Sequence, residues 1–283
     1  QMVGIIAAQG LLNLADPGGY DLFVIASVLV SLAFTPILLS ISPAPGFSTA
    51  KSMGLMKLFR TSPLGCVGIF IMGGVYSALF GMAAVWGGLM GLSVLQISSF
   101  VAAIYVGGLL LQYPIGWLSD AMDRRQLIVG VTLLCALVAL VTGLISLPFP
   151  VLLVVALLIG GLANPLYSLL LAHTNDFLQA DDMAGASGGL LFINGVGAIA
   201  GPLVIGWLMG QVGPGGFFLF IGALNAILGA YAIWRMSRRA APDPAEQGSY
   251  TPLTPAASAV TLDAAFEAAQ PDQGEDNDAA RSS

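Results

Sequence analysis

QLIVGVTLLCALVALVTGLISLPFPVLLVVALLIGGLANPLYSLLLAHTN, residues 126–175, runs for 50 residues without one Asp, Glu, Lys or Arg. A helix that crosses the hydrocarbon core of a bilayer needs about 20 apolar residues, so this stretch holds two crossings and a turn. The turn is visible as SLPFP at 146–150. Two further stretches are equally free of charge, Thr61 to Ser119 and Met183 to Trp234, and they break at GLSVLQISS (91–99) and GQVGPGG (210–216). A single span precedes them. The pattern predicts seven complete spanning helices, at 22–41, 65–90, 98–118, 127–147, 150–173, 185–210 and 216–235.

Residues 1–15, QMVGIIAAQGLLNLA, are apolar but too short to cross, and they carry neither a basic n-region nor a small-residue cleavage site. They read as the end of a spanning helix whose start lies upstream, so the chain is expected to be N-terminally truncated.

Composition points the same way. Hydrophobic residues make up 57 % of the chain and charged residues 8 %, whereas a soluble domain carries about 25 % charge to cover its core. The formal net charge of −6 belongs to the end of the chain, because Ala240 to Ser283 hold eight acids and one arginine. That tail is rich in Ala, Pro and Ser, and it is expected to be a disordered, acidic, cytoplasmic segment over 240–283. Cys66 and Cys135 lie in apolar tracts without zinc-ligand spacing and read as small buried hydrophobes. No metal, cofactor or nucleic acid is expected as a partner.

The basic residues set the orientation. Lys51, Lys57 and Arg60 precede the span at 65–90. Arg124 and Arg125 follow the span at 98–118, and Arg235, Arg238 and Arg239 follow the last one. All fall on one side if the spans alternate, and the opposite loops hold no Lys or Arg. That side is expected to be cytoplasmic. The loop NDFLQADDMAG (175–185) falls there too, although it is acidic.

The most informative local motif is GWLSDAMDRR, residues 116–125, at the end of the span at 98–118. Gly116 allows a neighbouring helix to approach closely. Asp120 can face the positive N-terminus of another helix. Arg124 and Arg125 can anchor the turn at an anionic leaflet. The motif resembles the loop signature of the major facilitator superfamily, with Asp123 where that family usually has glycine and Ala121 where a basic residue is common. NLADPGGYDLF (13–23), GGLLLQYPIGWLSD (107–120) and PLYSLLLAHTND (165–176) are similar to the uncharacterised bacterial YcaD-like group of that superfamily.

The resemblance implies an all-α membrane protein, the C-terminal half of a twelve-helix bundle built from inverted three-helix repeats. Residues 1–41 would then close the N-terminal half with a partial fifth and a complete sixth helix. Residues 42–63 would be the central cytoplasmic loop, and 64–239 the six-helix C-terminal half. The implied function is secondary active transport of a small solute by alternating access, by a monomer in the bacterial inner membrane with its C-terminus in the cytoplasm. Its partners would be the solute, the lipid bilayer and the missing first half. A non-transporting membrane sensor on the same scaffold is the alternative, and an intramembrane enzyme the third reading.

Polar residues at membrane depth face a bundle interior. Tyr76, Gln112, Asn164, Tyr167 and Asn194 are candidates to line a pathway, each also able to bond a neighbouring helix. His173 and Asp176 in AHTND, at the cytoplasmic mouth, form a candidate gate or proton site, since histidine titrates near neutrality. No carboxylate lies within the spans, so a coupling acid would come from the missing half. Gly197 and Gly201, four apart and followed by Pro202, read as a helix-packing face. Gly195-x-Gly197-x-x-Ala200 matches a dinucleotide fingerprint in letters only, because no strand precedes it. GASG at 185–188 resembles the serine context of rhomboid intramembrane proteases. The one histidine, His173, precedes Ser187, whereas rhomboids supply the base from a later helix. No catalytic residue is therefore assigned.

Overall fold

The computed structural model describes residues 2–11, 19–39, 53–178 and 180–238, and among them every regular element is helical. The chain forms α1 (Met2–Leu11), α2 (Asp21–Leu39), α3 (Leu55–Thr61), α4 (Pro63–Tyr76), a π-helical stretch (Ser77–Met82), α5 (Ala83–Leu89), α6 (Val94–Ala121), α7 (Arg124–Leu144), α8 (Phe149–Asn175), α9 (Ala180–Val212) and α10 (Gly216–Met236). The first part of the central loop, 42–52, and the acidic tail, 240–283, lie outside the described residues.

α4, the π stretch and α5 run on as one rod, Pro63–Leu89, so six helices among the described residues are long and apolar enough to cross a membrane. They fall where six of the seven expected spans were read. The seventh, at 22–41, coincides with α2, whose described apolar run is Asp21–Ala33 and whose described side chains are exposed or half-buried.

Two helices start well before the sequence pattern predicts: α9 at Ala180, inside the expected loop 175–185, and α6 at Val94, inside the break at 91–99 and four residues before the expected span at 98–118. Ser93 Oγ accepts from the Gln96 backbone N–H at 3.3 Å and Gln96 Oε1 accepts from the Ser93 N–H at 2.9 Å, a reciprocal cap that satisfies two free donors. The chain reverses just before it, at Gly91, whose φ of +68° suits a residue without a Cβ.

The six rods pack in a pattern with internal exchange symmetry. α4 packs on α9, α6 on α8, α7 on α10 and α4 on α8, while α8 touches α7 as α4 touches α10. Swapping the first three rods for the last three maps this set of contacts onto itself. Enclosure follows the same rule: 67 % and 61 % of the most apolar windows are buried in Pro63–Leu89 and α8, against 28 % in each of α6 and α9. The rods that expose most of their surface are therefore counterparts.

Glycine makes the two equivalent crossings possible. A Cβ at Gly197 would collide with the Phe70 carbonyl oxygen, and one at Gly73 with that of Asn194, so α4 and α9 touch backbone to backbone. A Cβ at Gly107 would meet the Leu157 carbonyl and one at Gly160 that of Ile104, which brings α6 and α8 equally close. Gly201 sits against Ser77 and Gly74, just before Pro202.

Candidate functional site

The basic end of the bundle is built from helix ends that are distant in sequence. Ser62, Pro63 and Leu64 at the start of α4, Arg125 in the first turn of α7, His173 and Phe177 at the end of α8, and Arg235 on the last turn of α10 line one small cavity of about 20 Å³. At the opposite end, Trp86, Met90, Ile145, Val212, Pro214 and Phe218 are among the residues around a cavity of about 240 Å³. The loops read as lying on one side of the membrane thus share one end of the structure.

Arg124 is not a leaflet anchor in this structure, because it is buried. Its Nε donates to Ser119 Oγ at 2.9 Å, and its Nη1 donates to both carboxylate oxygens of Asp176, at 2.7 and 2.8 Å. Both side chains of this ion pair are 2 % exposed. Asp120, one turn before, lies 3.7 Å from Arg124 Nη2 with its own side chain half exposed. The pair ties the α6–α7 turn to the end of α8, so Asp176 faces Arg124. His173 is also buried, and its ring packs edge-on against Phe177 at 5.1 Å and 80°.

Asp123 takes the N-cap of α7. Its Oδ1 accepts from the Arg125 backbone N–H at 2.9 Å, and Arg125 Nη2 donates to its Oδ2 at 3.0 Å. The turn uses no left-handed residue, which is why aspartate stands comfortably where the family pattern has glycine. Burial pushes the Asp123 carboxyl up, but the hydrogen bonds and charge of Arg125, with a smaller contribution from His173, outweigh it and hold the pKa below the usual carboxylate value.

A depressed folded pKa means stability that is fully present above the unfolded value, about 3.9, and is lost as pH falls further. Asp123→Asn keeps the cap but removes the charge. It is therefore expected to fold at neutral pH with a slightly lower melting temperature. Relative to the parent, this variant should lose less stability between about pH 4 and pH 3. Melting curves across that range check it, and parallel pH profiles would refute the assignment.

Halfway along the bundle, two irregular helices face each other. The π stretch Ser77–Met82 interrupts the first rod, and Pro165 removes a backbone donor inside α8. Tyr76 bridges them. Its hydroxyl donates to the Asn164 carbonyl at 3.0 Å and reaches the Ala163 carbonyl at 3.3 Å. Asn164 Nδ2 donates back to Gly160 O at 2.8 Å, and Gly108 leaves the room its side chain occupies. Tyr76 stacks on Phe80 at 5.8 Å, Phe80 on Tyr105 at 4.7 Å, and Tyr167 lies 6.3 Å from Tyr76. Asn194, by contrast, donates to Ile69 O at 3.2 Å inside the α4–α9 crossing. Gln112 is half-buried. The structure thus brings Tyr76, Asn164 and Tyr167 together and adds Phe80 and Tyr105, which the sequence did not single out.

Comparison with known proteins decides the family. Its sequence model matches residues 64–268. The chain belongs to the Major Facilitator Superfamily. Among similar curated members is the uncharacterized MFS-type transporter YfkF of Bacillus subtilis (strain 168), 28 % identical over 148 residues, or 51 % of this chain and 37 % of that protein. Another is the uncharacterized MFS-type transporter YcaD of Escherichia fergusonii, 27 % identical over 200 residues, or 70 % of this chain and 50 % of that protein. The chain spans about half or less of the length of these relatives. No solved structure matches.

Within this superfamily scaffold, GWLSDAMDRR lies across the α6–α7 turn, with Gly116 buried on α6 and Arg124 opening α7. Ser187, the residue behind the protease reading, donates its hydroxyl to Met183 O at 3.0 Å, an ordinary bond back along its own helix. Gly189 in the same run receives Leu58, the buried side chain of α3, while Lys57 pairs with Asp182 at 2.7 Å. This second tie between helix ends carries no short-range sequence signal, since its partners stand 125 residues apart.

Proposed function

We propose that this chain is the second half of a secondary transporter that moves a small solute across the bacterial inner membrane by alternating access. The exchange symmetry of the six-rod packing carries this reading, because a pair of inverted three-helix repeats is the construction on which such transporters rock. The faces of α6 and α9 lend support. Leu110, Tyr113 and Trp117 on α6, and Ile199, Leu203 and Trp207 on α9, are exposed side chains suited to lipid or to a first half. The basic end is cytoplasmic in this reading, following the one-sided Lys and Arg.

Gly116, Asp120, Arg124 and Arg125 serve as the conformational element of that end. Arg124 is held in place by Asp176, and Asp120, half-exposed and 3.7 Å from Arg124, also meets a helix N-terminus of the first half when the cytoplasmic side closes. His173 sits beside this element as the titratable group of the mouth. No Asp, Glu, Lys or Arg falls between Thr61 and Ser119, Gln126 and Asn175, or Met183 and Trp234, so any coupling carboxylate belongs to the other half.

The test is accessibility in the complete protein, where Cys66 and Cys135 are buried and add little background. Single cysteines at Leu92 and Gly213 are expected to label from outside, and at Ser52 and Ala241 only after permeabilisation. Asp120→Asn should insert normally yet raise cytoplasmic-side labelling of the pathway, a population shift of about five- to thirty-fold. Outside labelling at Ser52, or unchanged transport and labelling in Asp120→Asn, would overturn the reading.

A further inference from the structure

The bundle contains two aromatic clusters, and they differ in kind. Trp86, Phe100, Phe217 and Phe218 contact one another at 4.6 to 6.4 Å and are all at most 3 % exposed. All four rings are buried, as a packing core requires, with Trp86 and Phe218 also edging the cavity of about 240 Å³. The other runs Tyr167, Tyr76, Phe80, Tyr105. Its inner rungs, Tyr167 and Tyr76, are buried, while its outer rungs, Phe80 and Tyr105, are only half covered and stack at 4.7 Å and 22°. The stack ends on an open ring.

Three observations point to a ligand rather than to packing. The ladder stands on the π stretch and opposite Pro165, and irregular backbone at membrane depth is tolerated where it lines a cavity or is buried by protein. Tyr167 is 2 % exposed, yet its hydroxyl makes no hydrogen bond with the described residues, a polar group left for something else. Gln112, two turns beyond Tyr105 on the same face of α6, likewise bonds to none of them. Gly108, between the two, keeps that face flat against Asn164.

The chemistry of the solute follows from what the site has and lacks. It offers π faces, a hydroxyl and an amide. This half offers no fixed charge at that depth, and a buried charge without a counter-ion is costly. We propose that the Tyr167–Tyr76–Phe80–Tyr105 ladder, with Gln112 at its edge, is the face on which this half holds an uncharged aromatic solute carrying a hydrogen-bonding group. The inference rests on the transport reading for its purpose, and binding and transport are measured separately.

The complete protein in lipid nanodiscs is dialysed to equilibrium against indole, benzoate and benzyltrimethylammonium, with empty nanodiscs as the baseline. Indole is expected to bind saturably above that baseline, and the anion and the cation are not. Phe80→Ala and Tyr105→Ala should each weaken indole binding about two- to tenfold, while Trp207→Ala on the exposed face of α9 leaves it unchanged. Tyr167→Phe should abolish the preference for indole over indene, which has the same shape without the N–H. Indole at the empty-disc level, indole binding indifferent to both ring deletions, or preference for either ion would overturn the assignment. Indole binding with this variant pattern but without alternating access would keep the solute face and remove the transporter. Alternating access without indole binding would do the reverse.

Discussion

Arg124→Ala is expected to cost about 3–5 kcal/mol of stability, the largest single loss from a polar change among the described residues. The guanidinium is buried, bonded to Ser119, and shares two short bonds with a carboxylate that is itself 2 % exposed. Removing it takes both guanidinium bonds from the buried Asp176 carboxylate, and Asp176→Ala takes the same pair from Arg124. The penalty comes from a buried charge that loses this counter-ion more than from the lost attraction. The double replacement Arg124→Met with Asp176→Leu should therefore recover much of the loss. Denaturation in mixed micelles of the two single variants and the double variant measures this. Additive losses would show that the residues act independently. Lys57→Ala, whose ion pair with Asp182 is 58 % exposed on the lysine side, should cost less than about 1 kcal/mol.

The glycine crossings set the second large effect. Gly107→Ala and Gly160→Ala should each destabilise the α6–α8 contact at the upper end of the roughly 1–3 kcal/mol typical of overpacking. At both positions the new methyl meets the backbone of the partner helix, which cannot rotate away as a side chain can. Gly73→Ala and Gly197→Ala should do the same to the α4–α9 contact. Gly195→Ala is the internal control, since nothing lies within 4 Å of a Cβ there. It should be neutral or stabilising by up to about 1 kcal/mol, because alanine is the better helix former. The same melts read all five variants, and equal behaviour at Gly195 and Gly197 would refute the packing argument.

These two predictions differ in how far the sequence led to them. The small residues of GVGAIAGPLVIG already read as a packing face, because a pair of glycines four apart is a local pattern that any close crossing requires. Which helix they meet was not readable. Arg124 is the opposite case. Beside Arg125 at a membrane edge it reads as one more cation for the leaflet, and its partner stands 52 residues away. Asp176, three residues after the only histidine, pairs with His173 in the sequence by nearness alone, and nothing local there announces its bond to Arg124. Asp123 was read as a departure from a glycine position and proves to be the cap of the helix that follows. Ser93 and Gln96 carried a legible capping box inside a segment taken as a turn. Phe80 and Tyr105 gave no signal at all, since an aromatic residue in an apolar run is equally at home facing lipid, core or solute.

The chain by itself determined that it is helical, that it enters the membrane repeatedly, where six of its rods begin and end within a few residues, and which family it resembles. Each of these depends on local quantities: hydropathy over about 20 residues, turn residues, and the side on which charges fall. Only the tertiary structure decided which rods touch, that Arg124 belongs to Asp176, and that four rings form one open ladder beside a buried cluster. In a bilayer every face of a spanning helix is apolar, so burial against protein and exposure to lipid leave the same letters in the sequence. Contacts between rods are chosen by shape and by the few polar groups that must find partners, and those choices are made across distances the sequence does not display.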